Sequence, residues 1–220
     1  DRYLFSPKRN KIVKNLLKDW NNITIDMMHA HFLVSMGSVA YEIKREKGIP
    51  YIVSVRATDV YLFLRYAFFL RRYILKVLIN AKRIVFISPA LKNRTFRFIP
   101  KRQMENIEAK SVIIPNWIDN RWLIKNATSR ECHRPFRVLF VGELNRNKNI
   151  MKAISAIKIL RNAGTDLILS IVGKGPKERK IEKLDYKWIN YYGYINQEDE
   201  LMNIYDDNDC LLVPSIRETF

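Results

Sequence analysis

The 220 residues allow one large domain or two small ones, with a sizeable core in either case. Hydrophobic residues at 48% and aromatic residues at 12% exclude a disordered chain, and two cysteines, Cys132 and Cys210, exclude a disulfide framework. The net charge of +17 is unevenly spread: residues 1–130 hold 25 Lys and Arg against 9 Asp and Glu, residues 131–220 hold 14 against 13. So basic a first part suits an anionic partner, or is a solvated surface that keeps the protein soluble. The three histidines stand near no cysteine cluster, so no metal-site spacing is present. With no signal peptide and few cysteines, a cytoplasmic compartment is expected. The start at Asp1, without a methionine, and the stop at Phe220, inside a polar motif, suggest a piece cut at both ends.

In chain order, Ile12, Leu16 and Trp20 recur at helical spacing. Ile25 to Met28 reads as a short strand ending at His29-Ala30-His31, and a helix follows over Ser35–Lys47, closed by Gly48 as a C-terminal cap. Tyr51–Val55 is a strand that ends at Arg56-Ala57-Thr58-Asp59. Val60–Arg83 is long and mostly apolar, but Arg65, Arg71, Arg72 and Lys76 rule out a plain transmembrane span. On one helix Arg65, Arg72, Lys76 and Arg83 share a narrow face. That face is either the solvent side of a largely buried helix, which is the favoured reading, or a contact with anionic lipid. Ile84–Ile87 is a strand ending at Ser88-Pro89, a basic helical stretch reaches about Met104, and Val112–Ile114 is a strand ending at Pro115-Asn116. Residues 120–134 lose periodicity and read as a linker.

The remainder opens with Val138-Leu139-Phe140-Val141, which breaks at Gly142 into a polar loop carrying Lys148. Strand, glycine turn and helix start form a frame suited to holding phosphate. Asn149 is a candidate helix cap. Leu167–Val172 is a strand closing on Gly173-Lys174-Gly175-Pro176, and Trp188–Tyr192 is another, closing on Gly193-Tyr194. Asn196 is read as the cap of an acidic helix, Glu198–Asp206. Cys210–Val213 is the last strand, reads as core, and ends before Glu218. Strand, polar loop and helix thus alternate along the whole chain, which argues for α/β architecture with parallel sheets. Ligands of such sheets bind beyond the carboxyl ends of the strands. There lie His31, Arg56, Asp59, Ser88, Asn116, Gly142, Lys148, Gly173 and Glu218. His31 could equally be a satisfied histidine, Asp59 a helix cap, Arg56 a partner of Asp59, and Lys148 and Glu218 solvated loop charges. Trp117 and Trp122 read as packing.

Seven motifs, IDMMHAHF, GIPYIVSVRATD, IVFISPALK, VIIPNWID, VGELNRNKNI, IVGKGP and YYGYINQEDELMNIYDDNDCLLVPSIRETF, stand in the order and spacing of one family. The chain resembles family 4 of the retaining glycosyltransferases. The resemblance implies the GT-B fold, two Rossmann-like parallel-sheet domains facing a cleft, here both incomplete. Their expected extents are 1–128 on the acceptor side and 135–220 on the nucleotide-sugar side, with a linker at 129–134. It implies transfer of a sugar from a nucleotide-sugar donor to a saccharide or lipid-linked acceptor, in surface-polysaccharide synthesis, with no metal or other cofactor. A peripheral position on an anionic membrane surface and the absence of nucleic acid as a partner complete the expectation. Two rivals remain on the residues alone: a sugar-nucleotide epimerase of the same fold, and a non-catalytic nucleotide- or anion-binding module.

Carried over by motif, Lys148 binds the donor diphosphate, Glu218 is the first Glu of Glu-x7-Glu and contacts the donor sugar, and Ile195 lies near the base. Gly142 and Gly173 let the backbone approach the donor. Glu218, Arg56 and His31 are the expected catalytic residues, Arg56 in the place where many members have a histidine beside the reacting sugar, and Asp59 and Asn116 belong to the same acceptor or donor side. Two residues depart from the pattern. Glu143 stands where many members have a second phosphate-binding arginine, for which Arg146 is the candidate substitute. Arg56 replaces a histidine. The second Glu of the motif and the first strand with its glycine loop would lie outside Asp1–Phe220, so the 220 residues alone are expected to be inactive.

Overall fold

The computed structural model describes residues 5–20, 24–124 and 131–218. The chain divides into two compact units, one ending at Trp117 and the other running from Ile118 to Glu218. The division falls earlier than the expected linker, whose first residues, 129 and 130, lie outside the described ones.

The first unit holds α1 (Phe5–Asp19), β1 (Met28–Ala30), α2 (Ser35–Lys47), β2 (Tyr51–Val55), α3 (Arg71–Asn80), β3 (Arg83–Phe86), α4 (Pro89–Phe96), α5 (Lys101–Glu108) and β4 (Ser111–Ile113). Its four strands pair in parallel in chain order, β1-β2-β3-β4. Alternation puts Tyr51, Val53 and Val55 on one face of β2, where they join Ile84 and Phe86 and the inner sides of α2 and α3 in a single core. Gly48 ends α2 at φ 74° as its position required, its amide bonding the Lys44 carbonyl.

The second unit holds α6 (Asn120–Ile124), β5 (Phe136–Val141), α7 (Ile150–Asn162), β6 (Leu167–Val172), α8 (Glu178–Glu182), β7 (Ile189–Gly193), α9 (Glu198–Asp206) and β8 (Cys210–Leu211). Its parallel order is β7-β6-β5-β8, so the chain winds outward from β5 in one direction and then returns to its other side. Val138 and Phe140 pack under α7 in one core, while Leu139 and Val172 pack with Ile204 of α9 in another. This sheet is therefore covered on both faces.

Several expectations are corrected. Val60–Arg83 is not one helix: a π-helical turn spans Asp59–Leu64, a 3-10 turn spans Phe68–Leu70, and α3 starts at Arg71. Ala67 leaves helical geometry at φ −95°, ψ 60°. The Arg71 guanidinium donates to the Leu64 carbonyl at 2.8 Å, taking up an acceptor that a helix end leaves free. Arg83 is drawn into β3 opposite Ile52, so the four basic residues do not share a helical face. The basic stretch up to Met104 is two helices, broken before Pro100. Residues 120–124, read as linker, form α6. There Arg121 pairs with Glu198, the Trp122 indole donates to the same carboxylate at 2.7 Å, and its ring meets Tyr205 edge-on. Cys210 is exposed rather than core, since β8 is a two-residue edge strand. Asn149 takes a left-handed φ of 59° and does not cap α7 with its side chain, and Gln197, not Asn196, is the N-cap of α9.

Candidate functional site

In the second unit, the reversal of strand order lies between β5 and β8. The loops leaving those two strands diverge to opposite sides, which opens a crevice at the carboxyl edge of a parallel sheet. Lys148, on the first loop, donates to Glu218 Oε1, on the second, at 2.7 Å across 70 positions of sequence. Three asparagines hold this pair in place. Asn145 Oδ1 accepts from the Lys148 amide at 2.8 Å. Asn147 donates to the Arg217 carbonyl at 3.0 Å and accepts the Ile216 amide at 2.8 Å, and Asn149 donates to the Pro214 carbonyl at 3.2 Å. The Lys148 ammonium, foremost, holds the Glu218 carboxyl below its ordinary range. With side chains 33% and 37% exposed, the pair is open to an incoming anion rather than sealed.

The glycine loops lie against each other. Gly173 has φ 133°, and a Cβ there would stand 2.0 Å from the Gly142 carbonyl oxygen, so only glycine fits. Gly142 in turn runs alongside the aliphatic stem of Lys148, 3.6 Å from where its own Cβ would be. The two loops, with Tyr194, Ile195 and Leu201, enclose a cavity of about 480 Å³. Ile195 therefore shares a wall with Gly142 and Gly173. Glu143 also lines this cavity, its carboxylate accepting from Asn145 at 2.8 Å. The cation sharing that wall is Lys174, whose ammonium sits 4.6 Å over the Tyr194 ring. Arg146, the expected substitute, is exposed and outside the cavity wall.

In the first unit, Arg56, His31 and Asn116 come together at the carboxyl end of the sheet. Arg56 Nη1 donates to Asn116 Oδ1 at 2.8 Å, and its Nε lies 3.4 Å from the His31 carbonyl. Asp59 does not face solvent. It is 1% exposed, and its oxygens accept the Leu33, Val34 and Arg56 amides at 3.0, 3.0 and 2.8 Å. Burial pushes this carboxyl up against the pull of those three amides. Asp59 thus pins the loops that carry His31 and Arg56. Ser88 caps α4, accepting the Leu91 amide at 3.3 Å. Sequence reasoning missed His29, whose ring lies beside His31, and missed the asparagine lacing. The alternation of Asn145, Asn147 and Asn149 was the available signal for the latter.

Residues 1–122 match the family model described as Glycosyltransferase Family 4, and residues 124–220 match that described as Glycosyl transferases group 1. No curated protein matches. Among solved structures, the chain is similar to the apo form of the lipopolysaccharide outer core galactosyltransferase WaaB, at 17% identity and a TM-score of 0.64, over 96% of this chain and 56% of that one. It is similar to Anabaena Alr3699/HepE in complex with UDP and glucose, at 13% identity and a TM-score of 0.66, over 97% and 57%. Trehalose-6-phosphate synthase, studied for glycosyltransfer with retention, follows at 11% and 0.66, over 96% and 58%. The chain thus spans a little over half the length of these structures, which share its pair of parallel sheets. On the family match over more than half its length, the chain belongs to glycosyltransferase family 4.

Proposed function

We propose that the protein transfers a sugar, with retention of configuration, from a nucleotide-sugar donor to a saccharide or lipid-linked acceptor in surface-polysaccharide synthesis. The observation that carries this is the Lys148–Glu218 pair at the strand-order reversal of the second sheet. A nucleoside diphosphate gains negative charge as the glycosyl bond breaks. Lys148, at the entry to α7, supplies a fixed cation where that charge develops, and Glu218 is freed to accept from donor-sugar hydroxyls. A cation and a helix N-terminus stabilise the leaving group without a bound metal, so transfer is expected to run without one. The cavity beside Ile195 and Tyr194 offers an apolar wall for the base. The solved complexes of HepE with UDP and glucose, and the retention studied in trehalose-6-phosphate synthase, support this assignment by analogy of fold.

The test is calorimetric titration of UDP, GDP and ADP into the full-length protein. Micromolar binding of one nucleotide, weakened by Lys148→Ala, is expected, with Glu218→Ala acting more on the nucleotide sugar than on the bare diphosphate. No binding of any of the three would sink the proposal, and binding without acceptor-dependent transfer would indicate an epimerase or a binding module.

We further propose a peripheral position on the cytoplasmic face of the membrane. No helix among the described residues is long and apolar enough to cross one. The break in Val60–Arg83 leaves Leu62, Tyr66 and Phe68 at 51%, 62% and 69% exposure, with the exposed Arg65 and Arg72 between and beyond them. Apolar side chains that reach into the interface, with arginines for acidic head groups, suit an anionic bilayer. Cosedimentation with phosphatidylglycerol vesicles, and not with phosphatidylcholine vesicles, is the expected result.

A further inference from the structure

The charges around the Gly142 and Gly173 loops do not balance without one further cation. Lys148 and Glu218 neutralise each other at 2.7 Å. Glu143 then leaves the cavity wall negative, its carboxylate bonded only to the neutral Asn145 amide. A diphosphate brought to that wall meets repulsion, and more of it as the departing sugar leaves its electrons on the phosphate. Among the described residues that line the cavity, Lys174 is the cation. Its ammonium rests 4.6 Å from the centroid of the Tyr194 ring, which orients the charge without neutralising it. Among the described residues no carboxylate pairs with it. The backbone that carries it is held by three hydrogen bonds. The Leu144 amide donates to the Lys174 carbonyl at 3.0 Å, the Lys177 amide donates to the Leu144 carbonyl at 2.9 Å, and the Gly173 amide donates to the Gly193 carbonyl at 2.7 Å. Lys174 directly follows Gly173, and the Lys148 stem runs along Gly142, so the two lysines border one contact between glycine loops.

We propose that Lys174 is the second diphosphate-binding cation of the donor site, in the role for which the sequence offered Arg146. This rests on the transferase reading above. The flexible four-carbon stem lets the ammonium turn from the Tyr194 ring to a phosphate oxygen while the loop stays in place. Its charge offsets Glu143. The two residues are opposed contributions to one electrostatic sum, so removing either charge moves diphosphate affinity in opposite directions.

The experiment is calorimetric titration of the full-length protein and its variants with UDP, GDP and ADP, with uridine, guanosine and adenosine, and with inorganic pyrophosphate. Lys174 is exposed, so its variants are expected to fold. Lys174→Gln is expected to weaken the preferred diphosphate about tenfold and the matching nucleoside by less than about twofold. Lys174→Arg, which keeps the charge, is expected to stay within about threefold of wild type. Glu143→Gln is expected to tighten the diphosphate about threefold, and Arg146→Ala to leave it within about twofold. Added salt is expected to weaken the wild type more than Lys174→Gln, because the lost contact is between charges. Wild-type diphosphate affinity in Lys174→Gln overturns the proposal. So do equal losses for diphosphate and nucleoside, which make Lys174 a base contact, and a larger loss in Arg146→Ala than in Lys174→Gln. Pyrophosphate separates this from the transferase reading. Pyrophosphate binding that depends on Lys174, without binding of any nucleotide, overturns the transferase reading alone. Nucleotide binding lost in Lys148→Ala and intact in Lys174→Gln overturns the role of Lys174 alone, and no binding of any probe overturns both.

Discussion

The two sheets are built from the same alternation of strand and helix, yet among the described residues strand order reverses only in the second, and the crevice opens there. In β1-β2-β3-β4 each crossover continues in the same direction, and the described residues supply one core, on one face. Right-handed crossovers that never reverse keep their helices on a single side. In β7-β6-β5-β8 the connection through α9 returns past β5, so a second core forms on the opposite face. That reversal separates the β5 and β8 loops and sets Lys148 against Glu218. Strand-loop-helix grammar makes a parallel sheet, and the change of direction makes a ligand site.

The largest expected effect tests the backbone contact under that crevice. Gly173→Ala forces a Cβ onto the Gly142 carbonyl and should destabilise the second unit by about 4 kcal/mol or more. Urea unfolding should show that transition moved and the first unit's transition in place. The counterpart in the first unit is Asp59→Ala, which leaves three amides unbonded in the interior and should cost about 3 kcal/mol, read in the same way. Next is Asp209, which ties β8 to β5. It accepts the Arg137 amide at 2.8 Å, the His133 amide at 3.1 Å and the His133 ring at 2.8 Å. Burial would raise this carboxyl, but the Arg137 amide and the His133 contacts outweigh it and bring it down to about 2. A lowered folded value stabilises above the ordinary value of 3.8, and the gain fades as pH falls from there to about 2. Asp209→Asn should cost about 1–2 kcal/mol at neutral pH and flatten the acid limb over that window. The Lys148→Ala change is smaller in stability, under about 0.5 kcal/mol, because the ion pair is partly exposed. It should still weaken nucleoside diphosphate binding about tenfold by calorimetry, which separates a ligand site from a structural bridge. Smallest in stability is Phe68→Ser, expected within about 0.5 kcal/mol of wild type, since this side chain is exposed. It should reduce vesicle binding, and unchanged cosedimentation would remove Phe68 from the proposed membrane contact.

Much of this was legible in the residues. Tyr51–Val55, Leu167–Val172 and Glu198–Asp206 fall where apolar runs and periodicity put them, because their bounds are set locally by glycine, proline and helix-starting polar residues. Gly48 was found for the same reason, since a left-handed φ at a helix end is a local demand, whereas the need for glycine at 173 comes from the Gly142 carbonyl. Lys148 and Glu218 were found by motif, and spacing alone would not have joined them across 70 positions. The break at Ala67, the exposure of Cys210 and the partner of Trp122 were not legible. Distant partners decide the last two, the edge position of β8 and the carboxylate of Glu198, while at the break the Leu64 carbonyl is taken up by the Arg71 guanidinium.

The sequence by itself determined the alternation of elements, the basic first part, the loop glycines and the motifs of the family, all of them properties of neighbouring residues or of their order. The tertiary structure alone decided the strand order, and with it which loops meet, which carboxylate is buried, and which imidazoles stack. Those outcomes depend on the direction taken by each crossover and on contacts tens of residues apart, which local spacing does not encode.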